Sequence, residues 1–173
     1  MHRMVGIIPI NYEIMFEPLF HNFKFNGEEI ITLNLPKPIN SIKLDAAELS
    51  IKESHIIQGR KIIPTKSSLN EKDEKLNIKL AKKIKGKVKL SIKFTGTLND
   101  RLLGFYKSQY KDKKGKTKYL ATTQFEAADA RRAFPCWDEP AVKATFDVSL
   151  LVDKHMDAIS NICLLYTSDA ADE

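Results

Sequence analysis

The residues best suited to chemistry lie in one stretch of the chain, residues 119–150. Its centre, residues 129–140, reads DARRAFPCWDEP and mixes arginines, carboxylates, aromatic rings and prolines. A plain surface loop does not combine apolar rings with opposite charges in this way, and buried charges are costly unless each has a partner. The composition therefore predicts a buried or half-buried polar corner between two strand-like ends.

Two further polar residues, Gln124 and Glu126, stand immediately before this segment. They are two positions apart, so on an extended strand both would point to one face of the sheet and Phe125 to the other. From the residue types alone, two exposed strand residues that pair locally are the simpler interpretation.

The familiar catalytic patterns do not occur in the sequence. Its four histidines are far apart without zinc-ligand spacing, and there is neither a phosphate-binding glycine loop nor a nucleophile elbow. Cys136 has no histidine close in sequence, so we interpret it as a small buried apolar residue rather than a nucleophile. The chain shows no complete catalytic machinery, and we assign it no catalytic residue and no metal ligand.

Alternating apolar residues in the first third of the chain predict strands with one buried face. Asn26-Gly27 is a hairpin signal between two of these strands. Pro36 and Pro38 are expected to end the ladder that follows, because proline cannot donate to it. Residues 45–48 are expected to form a turn. The alternating apolar positions are Ile10, Tyr12, Ile14, Phe16, Phe23, Phe25, Ile31, Leu33, Leu35, Ile42 and Leu44.

The next part of the chain continues this pattern. Residues 64–75 are polar and predict a loop, and two amphipathic strands follow with Gly86 at their join. Residues 108–119 predict a hairpin with a lysine-rich tip at residues 112–116. No segment shows a sustained period of 3.6 residues, so the predicted fold class is all-β, with short strands arranged like a sandwich.

The composition fits one globular domain, with 173 residues, 43% hydrophobic content and a net charge of +6. The lysines are dispersed along alternating segments, which is typical of solvated strand faces, so we expect no nucleic-acid partner. No apolar run is long enough to cross a bilayer, and the N-terminus lacks the features of a signal peptide. We therefore expect no membrane partner and a cytoplasmic location.

The last eleven residues, 163–173, read CLLYTSDAADE and differ from the rest of the chain. The bias toward isoleucine and lysine ends there, and the string resembles a translated sequencing adapter. We expect residues 1–162 to be part of a native β domain and residues 163–173 to be a non-native tail.

Several motifs together resemble the N-terminal domain of M1-family zinc aminopeptidases, nearest to the branch of puromycin-sensitive and tricorn-interacting-factor-like enzymes. The motifs are LLGFY at 102–106, TQFE at 123–126, DARRAFPCWDEP at 129–140 and KATF at 143–146. The resemblance implies a saddle-like antiparallel β-sandwich domain, incomplete at its C-terminal end. It also implies that this domain packs on a thermolysin-like catalytic domain, whose motifs are absent from these 173 residues.

The resemblance also implies roles for single residues. Gln124 and Glu126 match positions at which family members contact the first residue of a peptide and its free amino group. An anionic carboxylate that faces a cationic amine is physically suited to that role. The remaining motif residues are expected to be structural: Asp129, Arg131, Arg132, Phe134, Pro135, Trp137, Asp138, Glu139 and Pro140.

The resulting hypothesis concerns a parent protein, a zinc aminopeptidase that removes N-terminal residues from peptides. This chain would be its amine-recognising and docking domain, truncated, without a cofactor of its own and inactive alone, with zinc belonging to the parent enzyme. The expected partners are peptide N-termini and the catalytic domain of the same chain. The alternative is a stand-alone β-sandwich module that binds peptides or an acidic partner through the lysine-rich hairpin.

Overall fold

The computed structural model describes residues 6–161 and residue 163. This part of the chain is built almost entirely of strands, which confirms the predicted all-β class, and none of its helices could cross a membrane. The elements are β1 (Ile8–Leu19), β2 (Lys24–Asp45), β3 (Ser50–Gln58), β4 (Lys61–Asn70), β5 (Lys75–Thr97), β6 (Gly104–Lys111), β7 (Thr117–Gln124), a 3₁₀ helix (Ala130–Arg132) and β8 (Thr145–Leu150). Apart from residue 163, the predicted tail at residues 163–173 lies outside the described residues and stays a prediction.

Six strands form one sheet in the order β3-β4-β5-β2-β1-β8, and β6 pairs with β7 as a separate hairpin. Of the pairings within the large sheet, only β1 with β8 is parallel, and it places Tyr12 opposite Phe146. The long ladder between β2 and β5 forms the middle of the sheet, and β3 and β4 share the other edge of β5. The predicted turn at residues 45–48 and the hairpin tip at residues 112–116 are confirmed.

The predicted hairpin at Asn26-Gly27 is wrong. The chain reverses at residues 20–23, and both residues lie inside β2, where Gly27 stands opposite Phe94 of β5. A Cβ atom at Gly27 would fall 2.2 Å from the Phe94 ring, so the glycine makes room for an aromatic ring on the neighbouring strand. Gly27 therefore allows close packing between the two strands. The local sequence does not show whether Asn26-Gly27 forms a turn or lies inside a strand.

The expectation that two prolines end the ladder is also wrong. Between Leu35 and Ile39, which flank Pro36 and Pro38, the register between β2 and β5 shifts, and the ladder then resumes as far as Asp45. The two prolines remove backbone hydrogen-bond donors only where the register shifts. The residues beyond it alternate again between buried and exposed, so burial of their apolar side chains favours continued pairing.

The loop predicted at residues 64–75 is mostly a strand. Residues 61–70 form β4, and only residues 71–74 turn back toward β5. Ile63 is the one buried residue of β4, so its polar composition reflects an exposed strand rather than a loop. Gly86 does not join two strands but lies within β5, with a φ of +90°.

The inward face of the sheet buries one continuous apolar cluster. The rings of Phe16, Phe25 and Phe105 lie near its centre, with centroids 5.1 to 6.1 Å apart and tilted or edge-on planes. Because Phe105 belongs to β6, this ring cluster joins the β6–β7 hairpin to β1 and β2 of the large sheet.

One carboxyl group interrupts this apolar face. Glu29 of β2 is 1% exposed, and neither of its carboxylate oxygens has a hydrogen-bond partner in the part of the chain that the structure describes. Its neighbours across the two adjoining ladders are Ile14 and Ile92. Burial raises the pKa of Glu29 well above its usual value, because nothing there compensates an ionised carboxylate.

Replacing Glu29 with leucine should therefore stabilise the domain more at pH 8 than at pH 4. Since the folded-state pKa lies above the unfolded one, the stability is fully present below the unfolded pKa and is lost as the pH rises toward the folded pKa. E29L removes this loss, and we expect a gain of about 1–3 kcal/mol in the free energy of unfolding at pH 8.

Chemical denaturation at both pH values measures the effect. The matched control is E28Q, since Glu28 is the adjacent carboxylate on the exposed face, where it pairs with Lys93. We expect the free energy of unfolding of E28Q to differ little from that of the parent chain. A gain for E29L that is the same at pH 4 and pH 8 would contradict the interpretation.

Candidate functional site

Residues 129–140, called the brace from here on, are bound to the end of β2 by backbone hydrogen bonds. The N–H of Asp45 donates to the Cys136 carbonyl at 2.6 Å, and the N–H of Cys136 donates to the Asp45 carbonyl at 3.0 Å. The N–H of Ala47 donates to the Arg131 carbonyl at 2.9 Å. These bonds hold the brace against the connection between β2 and β3.

The side chain of Asp45 is the buried anion beneath the brace. It is 4% exposed and contacts the ammonium of Lys75 and, at 3.5 Å, the guanidinium of Arg131. Its Oδ2 also accepts the N–H of Asp138 at 3.2 Å. Two cations and one N–H donor thus compensate the charge, which is the condition under which a buried carboxylate is tolerated.

Arg131 links this anion to two further acids. Its Nε donates to Asp138 at 3.0 Å, and its Nη1 donates to Glu74 at 3.2 Å. Burial opposes the charge on Arg131, but the hydrogen bond to Asp138 and the charge of Asp45 outweigh it and raise the pKa of the guanidinium. The fork therefore stays charged and ties the brace to the turn between β4 and β5.

Arg132 binds a second set of acids. It donates to Asp129 and to Glu74, both at 2.9 Å, and it also contacts Glu48. Burial lowers its pKa, yet these hydrogen bonds and charges raise it overall. Glu139 behaves differently, because it is exposed and makes no ion pair with any described residue.

The apolar side of the brace packs into the core. The Phe134 ring is buried and meets the rings of Tyr12 and Phe125 edge-on, with centroids 6.1 and 5.8 Å away. The other apolar residues differ in exposure: Pro135 and Cys136 are buried, Trp137 is half-buried and Pro140 is exposed. Burial raises the pKa of the Cys136 thiol well above its usual value, which agrees with a small apolar role for this residue.

Gln124 and Glu126 do not share an extended strand, so that prediction is wrong. β7 ends at Gln124, and Glu126 lies in the turn that follows, with a cis peptide bond to Ala127. Both side chains are nevertheless exposed, while Phe125 between them is half-buried. The Phe125 carbonyl accepts the N–H of Asp129 at 2.9 Å, so this turn leads directly into the brace.

Gly104 brings this turn and the brace together. It pairs with Gln124 in the β6–β7 ladder, and its φ of +67° favours glycine. A Cβ atom there would lie 2.6 Å from the Cβ of Arg132. Within the described residues, Glu126 has neither an ion pair nor a side-chain hydrogen bond, so the site presents a positioned carboxylate without a partner.

An apolar cavity of about 150 Å³ opens beside the brace at the edge formed by β1 and β8. Its walls include Tyr12, Phe134, Trp137, Val142 and Phe146. Phe146 also belongs to the apolar edge, which we define as Phe146, Val148 and Leu150 of β8. These side chains are 38–44% exposed, although the register with β1 places them on the buried face of the sheet.

A metal centre is not formed by the residues that the structure describes. No three His, Cys, Asp or Glu side chains come together there as a ligand set. The acidic residues around the brace are bound by arginine and lysine instead. These residues do not fit a zinc ion, and we derive no reaction step through one.

Comparison with known sequences identifies the family. The family model of the peptidase M1 N-terminal domain matches residues 8–173. The chain belongs to the peptidase M1 N-terminal domain family. This confirms the resemblance drawn from the motifs.

This M1 domain is similar to the N-terminal part of several aminopeptidases. It is 41% identical over 167 residues to the puromycin-sensitive aminopeptidase of Caenorhabditis elegans, covering 95% of this chain and 18% of that protein. It is 42% identical over 158 residues to aminopeptidase 2 of Candida albicans, with 90% and 17% covered. It is 40% identical over 156 residues to aminopeptidase M1-D of Oryza sativa, with 89% and 18% covered. The chain thus spans less than a fifth of the length of these relatives.

Sequence reasoning missed the acids that hold the brace of this M1 domain. Asp45 and Glu48 occur in the predicted turn at residues 45–48, and Glu74 occurs in what was predicted as a loop. Nothing in their spacing indicates that they face the arginines of the brace, which lie more than fifty residues further along the chain. The arginine pair gives no local signal of these distant partners, because Asp129, Asp138 and Glu139 already supply three acids within the same segment.

Replacing Arg131 with methionine should lower the free energy of unfolding by about 3 kcal/mol, because it leaves the buried Asp45 with Lys75 as its remaining cation. The matched control is R101M. Arg101 is 50% exposed and pairs with Glu48, so its loss should cost less than about 1 kcal/mol. Urea denaturation followed by the fluorescence of Trp137, the single tryptophan of the chain, measures both. Equal losses in the two variants would show that Asp45 does not depend on the brace.

Proposed function

We propose that this chain is the amine-recognising and docking domain of an aminopeptidase that removes N-terminal residues from peptides. The observation that carries the proposal is the exposed carboxylate of Glu126, which has no ion pair or side-chain hydrogen bond within the described residues and follows the anchored ring of Phe125. The names of its relatives support it, since they are aminopeptidases and the chain matches their N-terminal part.

The chemistry of the site suits a peptide N-terminus. The carboxylate of Glu126 can accept charge-assisted hydrogen bonds from a free ammonium group, each worth about 1.5–3 kcal/mol. Gln124 offers an amide that both donates and accepts, as the backbone of the first peptide residue requires. The ring of Phe125 fixes the segment between them, so little conformational entropy is lost on binding. A blocked N-terminus carries no charge and is disfavoured.

The apolar edge of β8 supports the docking part of the proposal. Large obligate interfaces are apolar, and Phe146, Val148 and Leu150 form an exposed apolar surface next to the brace. We propose that the catalytic domain of the same protein packs there and completes the cleft opposite Glu126.

The zinc ion expected of the parent enzyme is assigned to that domain. Peptide N-termini are the proposed partners, with neither nucleic acid nor membrane, and the proposed location is cytoplasmic.

In the full-length parent protein, replacing Glu126 with glutamine should lower kcat/KM for unblocked peptide substrates by about 10- to 100-fold. The substitution keeps the shape of the side chain and removes the charge that faces the amine. Hydrolysis of aminoacyl-coumarin substrates measures the change. The matched control is E71Q, which removes an exposed carboxylate in the turn between β4 and β5 and should leave kcat/KM within about twofold.

Two results would overturn this proposal. Unchanged kcat and KM in E126Q would remove Glu126 from the amine site. Turnover of the same substrates by the isolated 173-residue chain would show that it is more than a recognition and docking domain.

A further inference from the structure

Beyond Lys75, which pairs with Asp45, the outer face of β5 is divided into two halves by charge. In one half, Lys89 pairs with Glu13 and Lys93 pairs with Glu28, each at 2.9 Å. The other half, residues 79–87, forms no ion pair with any described residue. Its exposed lysines are Lys79, Lys82, Lys83, Lys85 and Lys87. Among the residues that the structure describes, the sheet therefore balances the lysines of one half of this strand and offers no counter-charge to those of the other half.

The unbalanced half also places like charges side by side on three strands. Lys79 of β5 is the direct partner of Lys66 on β4. Lys43 of β2 stands opposite Asn77, one step diagonal from Lys79 on the same face. Like charges directly opposite each other on a sheet are destabilising, so the free domain carries a repulsion that an external anion would relieve.

Protection of an edge strand does not account for this arrangement. Lysine on an edge strand discourages pairing with chains that carry no complementary charge, which accounts for Lys66 on β4. Lys79 and Lys43 lie on β5 and β2, which are interior strands of the sheet, where no edge needs protection. The positions of Lys79 and Lys43 therefore need a different explanation.

We propose that this region, the lysine face formed by Lys43, Lys66, Lys79, Lys85 and Lys87, is a docking surface for an acidic polypeptide segment in an extended conformation. Alternate residues of a strand are about 6.5–7 Å apart, so acidic side chains at every second position of such a segment match lysines with the same spacing. Residues 66–70 of β4 pair with β5 alone, which leaves their other backbone edge open to an added strand.

The composition of the region favours a polypeptide over other polyanions. No aromatic residue occurs between residues 56 and 93, so there is no platform on which nucleic-acid bases could stack. Ile62 is the one large apolar side chain that residues 56–93 expose, whereas binding at a membrane surface uses a broad apolar face. Backbone pairing along β4 together with carboxylate contacts is available only to a peptide.

The test uses the 173-residue chain and a labelled synthetic peptide of alternating glutamate and threonine, about a dozen residues long. Fluorescence anisotropy gives the affinity at low and at physiological ionic strength. The variant is K66Q/K79Q, and the matched control is K89Q/K93Q, which removes two lysines from the balanced half of β5. We expect the affinity to fall about tenfold or more in K66Q/K79Q and to stay within about twofold in the control.

Folding does not confound this comparison. K66Q/K79Q removes a repulsion, so its melting temperature should equal or exceed that of the parent chain. Equal loss of affinity in the two variants would overturn the proposal, because net charge rather than the lysine face would then control binding. Absence of peptide binding would also overturn it. So would tighter binding of an oligothymidylate or of phosphatidylserine vesicles that is weakened by K66Q/K79Q.

Discussion

The buried carboxylate of Asp45 is the group on which the arrangement of the domain depends. It ends the longest ladder of the sheet, its backbone pairs with Cys136, and its side chain contacts Lys75 and Arg131. An unpaired charge at that depth would cost several kcal/mol, so the end of β2 is stable only when the brace is in place. The arginines of the brace in turn need acids from two turns of the sheet, and the two parts therefore form together.

The geometry of the candidate site depends on the contacts between Asp45 and the brace. The ion pairs fix the 3₁₀ turn of the brace, and that turn places the Phe134 ring against Phe125. With its ring held, Phe125 presents Gln124 and Glu126 toward solvent on either side. The acids nearest to the arginines are paired with them, whereas Glu126 forms no ion pair with any described residue, and this difference supports the binding role proposed for it.

Three other features run against the stability of the free domain. Glu29 lies in the core without a hydrogen-bond partner among the described residues, the apolar edge of β8 is exposed, and the lysine face holds like charges in register. The last two lie on the surface and would be compensated by partners, an apolar one at β8 and an acidic one at β4 and β5. Glu29 is buried, so a partner at the surface does not compensate its carboxylate. The loss of folding stability that it causes increases with pH.

The sequence by itself determined the fold class and the family of this protein. Alternating apolar residues bury one face of a strand whatever its partner is, and the motif at residues 129–140 is long enough to identify an M1 domain. The prediction of Gln124 and Glu126 as an exposed polar pair rests on their residue types and on the motif TQFE at residues 123–126. Tertiary structure alone decided that Asn26-Gly27 lies inside a strand, that Pro36 and Pro38 do not end β2, and which acids bind Arg131 and Arg132. The physical reason is that a long ladder and a buried ion pair join residues far apart in sequence, and their combined free energy overrides the local preference of a dipeptide or a proline.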